Sequence, residues 1–236
     1  LAVNSHYGAG AKAWAETTEK LSKGKLVFKQ FPSSALGGER ETVESLQLGT
    51  LEAVIVSSGT LSNFVPEVGV TDIPFLFRDL QHARSVLDGK IGQDLLAKFP
   101  ERNLIALAWG EQGFRHITNN KHPIVKPEDL AGIKLRTPSS KWRVAMFKAY
   151  GANPSPLPYG EVFVALKTGT FDGQENPFPQ IVGGRFQEVQ KYLSVSNYMW
   201  MANFWFMNGE RFNSLSPEHQ AALTETAKDV QTWYRA

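Results

Sequence analysis

The same short pattern occurs twice in this chain. Leu46-x-x-Gly49-Thr50-Leu51-Glu52 returns as Leu166-x-x-Gly169-Thr170-Phe171-Asp172. Pro32-Ser33-Ser34 precedes the first copy as Pro138-Ser139-Ser140 precedes the second. Each copy reads as strand, loop, helix, glycine, strand. Gly49 and Gly169 stand where a helix needs a residue of positive φ just past its end. Lys25–Phe31 and Gly132–Arg136 are the leading strands, and Ser139 or Ser140 is the expected cap of a helix through Met146 and Phe147. Leu51–Val56 is almost continuously apolar, as a strand covered on both faces would be. Helical and extended signals alternate through the rest of the chain, which defines an α/β fold. The duplication implies two similar lobes joined by crossing strands rather than by a tether, with a ligand cleft between them. The expected boundaries are residues 1–112 with 202–236 for the first lobe and 113–201 for the second.

Composition narrows the function. Twenty-five Lys and Arg against 23 Asp and Glu leave a formal net charge of +2, too little for a dedicated nucleic-acid surface. No apolar run is long enough to span a bilayer. With no cysteine, disulfides, thiolate nucleophiles and Cys-ligated metals are excluded. The start, Leu1-Ala2-Val3-Asn4, reads like a strand already in progress, so a signal peptide is expected to have been removed. His6, His82, His116, His122 and His219 form no HExxH or similar spacing, and no cofactor or metal is expected. No GxSxG elbow or phosphate-binding loop is present. Glu161 reads as a first-turn acid placed for the helix dipole rather than as a catalytic group.

A group of cations and amides at strand ends carries the candidate chemistry. Arg115 follows Gly113-Phe114, Arg136 ends the run GIKLR, and Asn176 lies in GQENP where the strand must turn. A planar guanidinium offers two parallel N–H donors that match a carboxylate, and an amide can serve one further oxygen. Together they make an anion clamp. Tyr198, Trp200, Phe204, Trp205 and Phe206 crowd one late segment; most such residues build core, and any that line the pocket favour a ligand with an apolar or aromatic body.

The stretches FPSSALGGERETVESLQLGTLEAVIVSSG, GFRHITN, EDLAGIKLRTP, ALKTGTFDGQENP and RFQEVQKYLSVS resemble the solute-binding subunit of tripartite ATP-independent periplasmic (TRAP) transporters, the DctP-like family. The resemblance runs from about Leu26 to the last helix. It implies a two-lobed periplasmic receptor, not an enzyme, that closes on an organic acid and delivers it to membrane subunits. It further implies that Arg136 pairs with the ligand carboxylate, that Arg115 and Asn176 join it, and that Asn4 and Tyr159 lie near the ligand. Members of the family continue past the point where this sequence stops. The acid is left open among aromatic, hydroxy and keto acids, C4-dicarboxylates and sugar acids, with Lys141 or Arg143 the candidate second cation for a diacid. A ligand-sensing input domain for a membrane sensor, and an enzyme on the same scaffold, are the alternatives.

Overall fold

In a computed structural model of the chain, residues 5–235 are described. Its residues group into two compact units: 1–57, 86–111 and 202–236 form unit 1, and 58–85 with 112–201 form unit 2. The segment 58–85, expected in the first lobe, therefore belongs to unit 2. The reason lies in its buried Asp72, which is bound to the side chain of Arg143. A hydrophobic count does not reveal such a pair.

Unit 1 contains α1 (His6–Leu21), α2 (Glu39–Gln47) and β1 (Ala53–Ser57). Unit 2 begins with α3 (Ser58–Leu61), a 3-10 turn over Pro66–Asp72, and α4 (Leu80–Asp88), which straddles the boundary. Then come α5 (Lys90–Leu96) and the long strand β2 (Leu104–Asn119), which runs from unit 1 into unit 2. Within unit 2 follow β3 (Lys134–Thr137), α6 (Lys141–Ala149), β4 (Asn153–Pro156), α7 (Tyr159–Lys167), β5 (Gly173–Pro177) and α8 (Phe178–Gly183). The second long strand, β6 (Tyr192–Asn208), returns to unit 1, where α9 (Gly209–Asn213) and α10 (Pro217–Tyr234) complete the chain.

Among the described residues six strands hydrogen-bond in the order β1-β6-β2-β5-β3-β4. β1 is antiparallel to β6 and β5 is antiparallel to β2, whereas β3 is parallel to both β4 and β5. The sheet is thus mixed. In β1, Ala53, Val54 and Ile55 are only half-buried rather than covered on both faces. Among the described residues the expected strand Lys25–Phe31 joins no ladder. Leu26 and Phe28 are half-buried and Val27 and Lys29 exposed, so the two-residue period is real. A period reports which face is covered but not whether a neighbouring strand accepts the backbone.

The core of unit 1 packs Trp14 of α1 against Trp205, Leu223 and Ala227. Thr18 and Thr226 hydrogen-bond across the same helix pair at 2.8 Å. In unit 2, Leu135, Phe147 and Tyr198 centre one cluster, and Val162, Leu166 and Phe186 centre another beneath α7 and α8. The crowded aromatics are core. Trp200, Phe204, Trp205 and Phe206 are each 2% exposed or less, and they meet other rings, as Phe99 meets Phe206 at 4.6 Å. They give no support to an aromatic ligand.

Candidate functional site

β5 has an unusual composition for an interior strand. Gln174, Glu175 and Asn176 are all buried, and no aliphatic side chain accompanies them. Buried polar groups of this kind must find partners inside the protein. At its start only glycine fits, because a Cβ on Gly173 would run into the Thr118 carbonyl oxygen of β2. That close approach puts the next three side chains against β2 and β3.

Register sorts them onto two faces. Gln174 pairs with both Thr118 and Arg136, and Asn176 pairs with His116, so these five share one face. Gln174 donates to the Thr118 hydroxyl at 2.8 Å, and the Asn176 amide donates to Gln174 at 2.6 Å. Arg136, 3% exposed, directs Nε and Nη2 at the Leu157 carbonyl, 2.9 and 2.6 Å away. This contact orients the guanidinium. His116 lies beside the Phe178 ring at 4.1 Å. Burial, reinforced by Arg115, lowers its pKa below 6.5, so the imidazole is neutral at physiological pH.

Arg115 and Glu175 start from the opposite face. The Glu175 carboxylate accepts from Arg115 Nε and from the Tyr198 hydroxyl. Arg115 Nη1 contacts the Met201 sulfur at 2.8 Å. Its Nη2 reaches the Glu175 carbonyl at 2.5 Å and Asn176 Oδ1 at 3.1 Å. Arg143, fully buried, lies 3.5 Å from Glu175 and makes two 3.2 Å hydrogen bonds to the Asp72 carboxylate. Two guanidiniums and two carboxylates thus form one neutral buried network.

Tyr159 opens α7 and donates its hydroxyl to the Gln180 carbonyl at 2.5 Å. Burial pushes its pKa up to about 12, against the opposing pull of the Arg136 and Arg115 charges. Its phenol is therefore a donor across the physiological range.

Arg115, Arg136, Asn176 and Tyr159 are all held by unit 2, and a direct hydrogen bond joins Arg115 to Asn176. Asn4 lies outside the described residues. Arg143, considered as a second ligand cation, is instead committed to Asp72 and Glu175, whereas Lys141 is exposed and lies over Trp142. Sequence reading missed Asp72, Glu175 and Tyr198. Two signals were available: β5 lacks aliphatic residues, and Arg143 sits four residues before the buried Phe147 on one helix stripe. Among the described residues no cluster of His, Asp and Glu is arranged to hold a metal, and no helix is long and apolar enough to cross a membrane.

Two α/β units sharing two long strands, with buried guanidiniums and amides at strand ends, define the class of two-lobed solute-binding receptors. The comparisons specify it further. A structure from Bordetella bronchispeptica, with density assigned to pantoate, is 50% identical, covers 100% of this chain and 78% of its own, and superposes with a TM-score of 0.95. One from Polaromonas sp. JS666 bound to D-erythronate is 45% identical, covers 99% and 77%, and has a TM-score of 0.96. The sugar acid binding protein of Advenella mimigardefordensis, in complex with galactonate, is 41% identical, covers 100% and 76%, and has a TM-score of 0.96. The family model for bacterial extracellular solute-binding protein, family 7 (DctP) matches residues 1–236. The chain belongs to that family. It is a periplasmic solute-binding protein of the TRAP type, a receptor rather than an enzyme, which binds small acids and passes them to membrane components.

Proposed function

We propose that this receptor captures a hydroxylated monocarboxylic acid of about four to six carbons. Arg136 takes the carboxylate, Asn176 and Tyr159 serve further oxygens, and closure of the two lobes completes the capture. The observation that carries this reading is the chemistry common to the three similar solved structures described above, with pantoate, D-erythronate and galactonate. Each of these is a single carboxylate on a hydroxylated chain.

The side chains support it physically. A carboxylate leaving water needs a paired and hydrogen-bonded cation. Arg136 is a guanidinium already buried and aimed by the Leu157 carbonyl, so little of its side-chain freedom is left to lose on binding. The Asn176 amide is oriented by Arg115 on its oxygen and Gln174 on its nitrogen, which leaves a second N–H for a ligand oxygen. In this reading Arg115 acts through Asn176.

The test is calorimetric titration with D-erythronate, pantoate, galactonate and succinate. At least one hydroxy acid is expected to bind with a micromolar or tighter constant and in preference to succinate. Arg136→Ala should weaken that binding by about 2–5 kcal/mol, because it leaves the ligand charge buried and unpaired. Arg136→Lys should also weaken it, since an ammonium cannot make the two-pronged contact. Unchanged affinity in Arg136→Ala removes this residue from the site.

A further inference from the structure

The hydrogen-bond inventory of Arg115 differs from that of a ligand-binding arginine. Four of its five N–H protons are already directed at protein atoms: the Glu175 carboxylate, the Met201 sulfur, the Glu175 carbonyl and Asn176 Oδ1. Its positive charge is met by Glu175, which no solvent reaches. Arg143 cannot release Glu175 from that duty, because two hydrogen bonds commit it to Asp72. Every charge in this network therefore has an internal counterpart.

Resting on the proposed capture of a hydroxy acid, the geometry points to Glu175 as a residue that sets specificity without touching the ligand. By cancelling the charge of Arg115 it lowers by one the number of negative charges the site accepts, and so selects acids with one carboxylate over acids with two. Arg115 is then a positioning residue, fixing Asn176 through its oxygen. The effect is electrostatic. Fully buried charges are poorly screened, so removing one carboxylate beside the site raises its attraction for every anion and raises it more for a dianion.

Two pairs of acids differ only in whether a terminal CH2OH is a second carboxylate: D-erythronate with meso-tartrate, and galactonate with galactarate. The measured quantity is the ratio of their dissociation constants for the whole chain, by calorimetry, with a thermal melt to establish that each variant is folded. The native protein is expected to prefer the monoacid of the pair it binds. Glu175→Gln should shift the ratio toward the diacid by about tenfold, equivalent to about 1.4 kcal/mol. Arg115→Gln, which removes the opposite charge, should shift it the other way while lowering monoacid affinity through the loosened Asn176. A purely structural pair would weaken both acids together in both variants, and that result, or shifts of the same sign, overturns the proposal. Should Glu175→Gln fail to fold, Arg115→Gln decides alone, and a ratio that holds still or moves toward the diacid refutes it. A native protein that binds neither member of either pair instead overturns the hydroxy-acid reading on which this inference rests.

Discussion

A carboxyl group as deeply buried as that of Glu175 would be neutral if burial acted alone, since a low-dielectric surrounding raises its pKa. The charges of Arg115 and Arg143, with hydrogen bonds from Arg115 and Tyr198, outweigh that penalty and hold it below 4.5. The same carboxylate pushes the Tyr198 hydroxyl well above 10, adding to burial. A folded-state pKa below the unfolded value contributes stability that is fully present above the unfolded pKa and is lost as pH falls through the folded one. The stability advantage of the native protein over Glu175→Gln should therefore be constant near neutrality and shrink below about pH 4.5. Urea midpoints of both proteins between pH 7 and pH 3 measure the difference, in which other carboxylates cancel. A gap indifferent to pH would mean that Glu175 is not ionised in the folded protein. The sequence marked this network only in part: the polar run of β5 and the place of Arg143 on a buried helix stripe signal buried charge, but nothing in the chain says which charge meets which. Arg115 and Arg136 look alike in the chain, and only the structure shows that Arg115 is met by the buried Glu175 carboxylate.

The repeated pattern is a statement about elements, and at that scale it can be followed atom by atom. Leu46 and Leu166 are both buried, Gly49 and Gly169 both have φ of +74°, and β1 and β5 begin at the same offset from them. The turn hydrogen bonds also match: Gly49 N–H to the Leu46 carbonyl, and Gly169 N–H to the Leu166 carbonyl. A Cβ at Gly169 would meet nothing within 4 Å, and one at Gly49 only Asn208 at 3.7 Å. Substitution to alanine is thus a pure test of backbone conformation, costing about 1–2 kcal/mol at either position. Gly49→Ala and Gly169→Ala should lower stability by similar amounts in denaturant titrations, and a large inequality would mean that the two turns are held differently. The PSS half of the pattern diverges. Ser140 caps α6, whereas Ser33 and Ser34 occupy left-handed conformations in a loop. A cap and a turn draw on the same residue types, so identical letters did not specify one geometry. β4 contains Pro154 and Pro156, which an interior strand would exclude; at the end of the strand order among the described residues a missing N–H leaves no neighbour unsatisfied.

For the whole molecule the decisive feature is that β2 and β6 each supply residues to both units. The chain also passes between the units after Ser57 and within α4. Sequence reading anticipated crossing strands but left out the passage through 58–85, since nothing in that segment's apolar pattern announces the ion pair that holds it. Continuous strands make independent unfolding costly: melting one unit would strip partners from the shared strands and leave the other with exposed backbone donors and acceptors. Chemical denaturation should therefore follow a single transition reported alike by Trp14 and Trp205 in unit 1 and Trp142 and Trp200 in unit 2. A bound acid at 100 times its dissociation constant should add about 2.7 kcal/mol to that one transition. Because the proposed ligand groups belong to unit 2, hydrogen exchange provides the sharper measurement. If unfolding is shared, ligand should slow exchange in the Ala202–Asn208 half of β6 by the same factor as in its Tyr192–Met201 half, wherever exchange proceeds through global opening. Protection confined to unit 2, or two separable melting transitions, would show that the shared strands do not couple the units energetically.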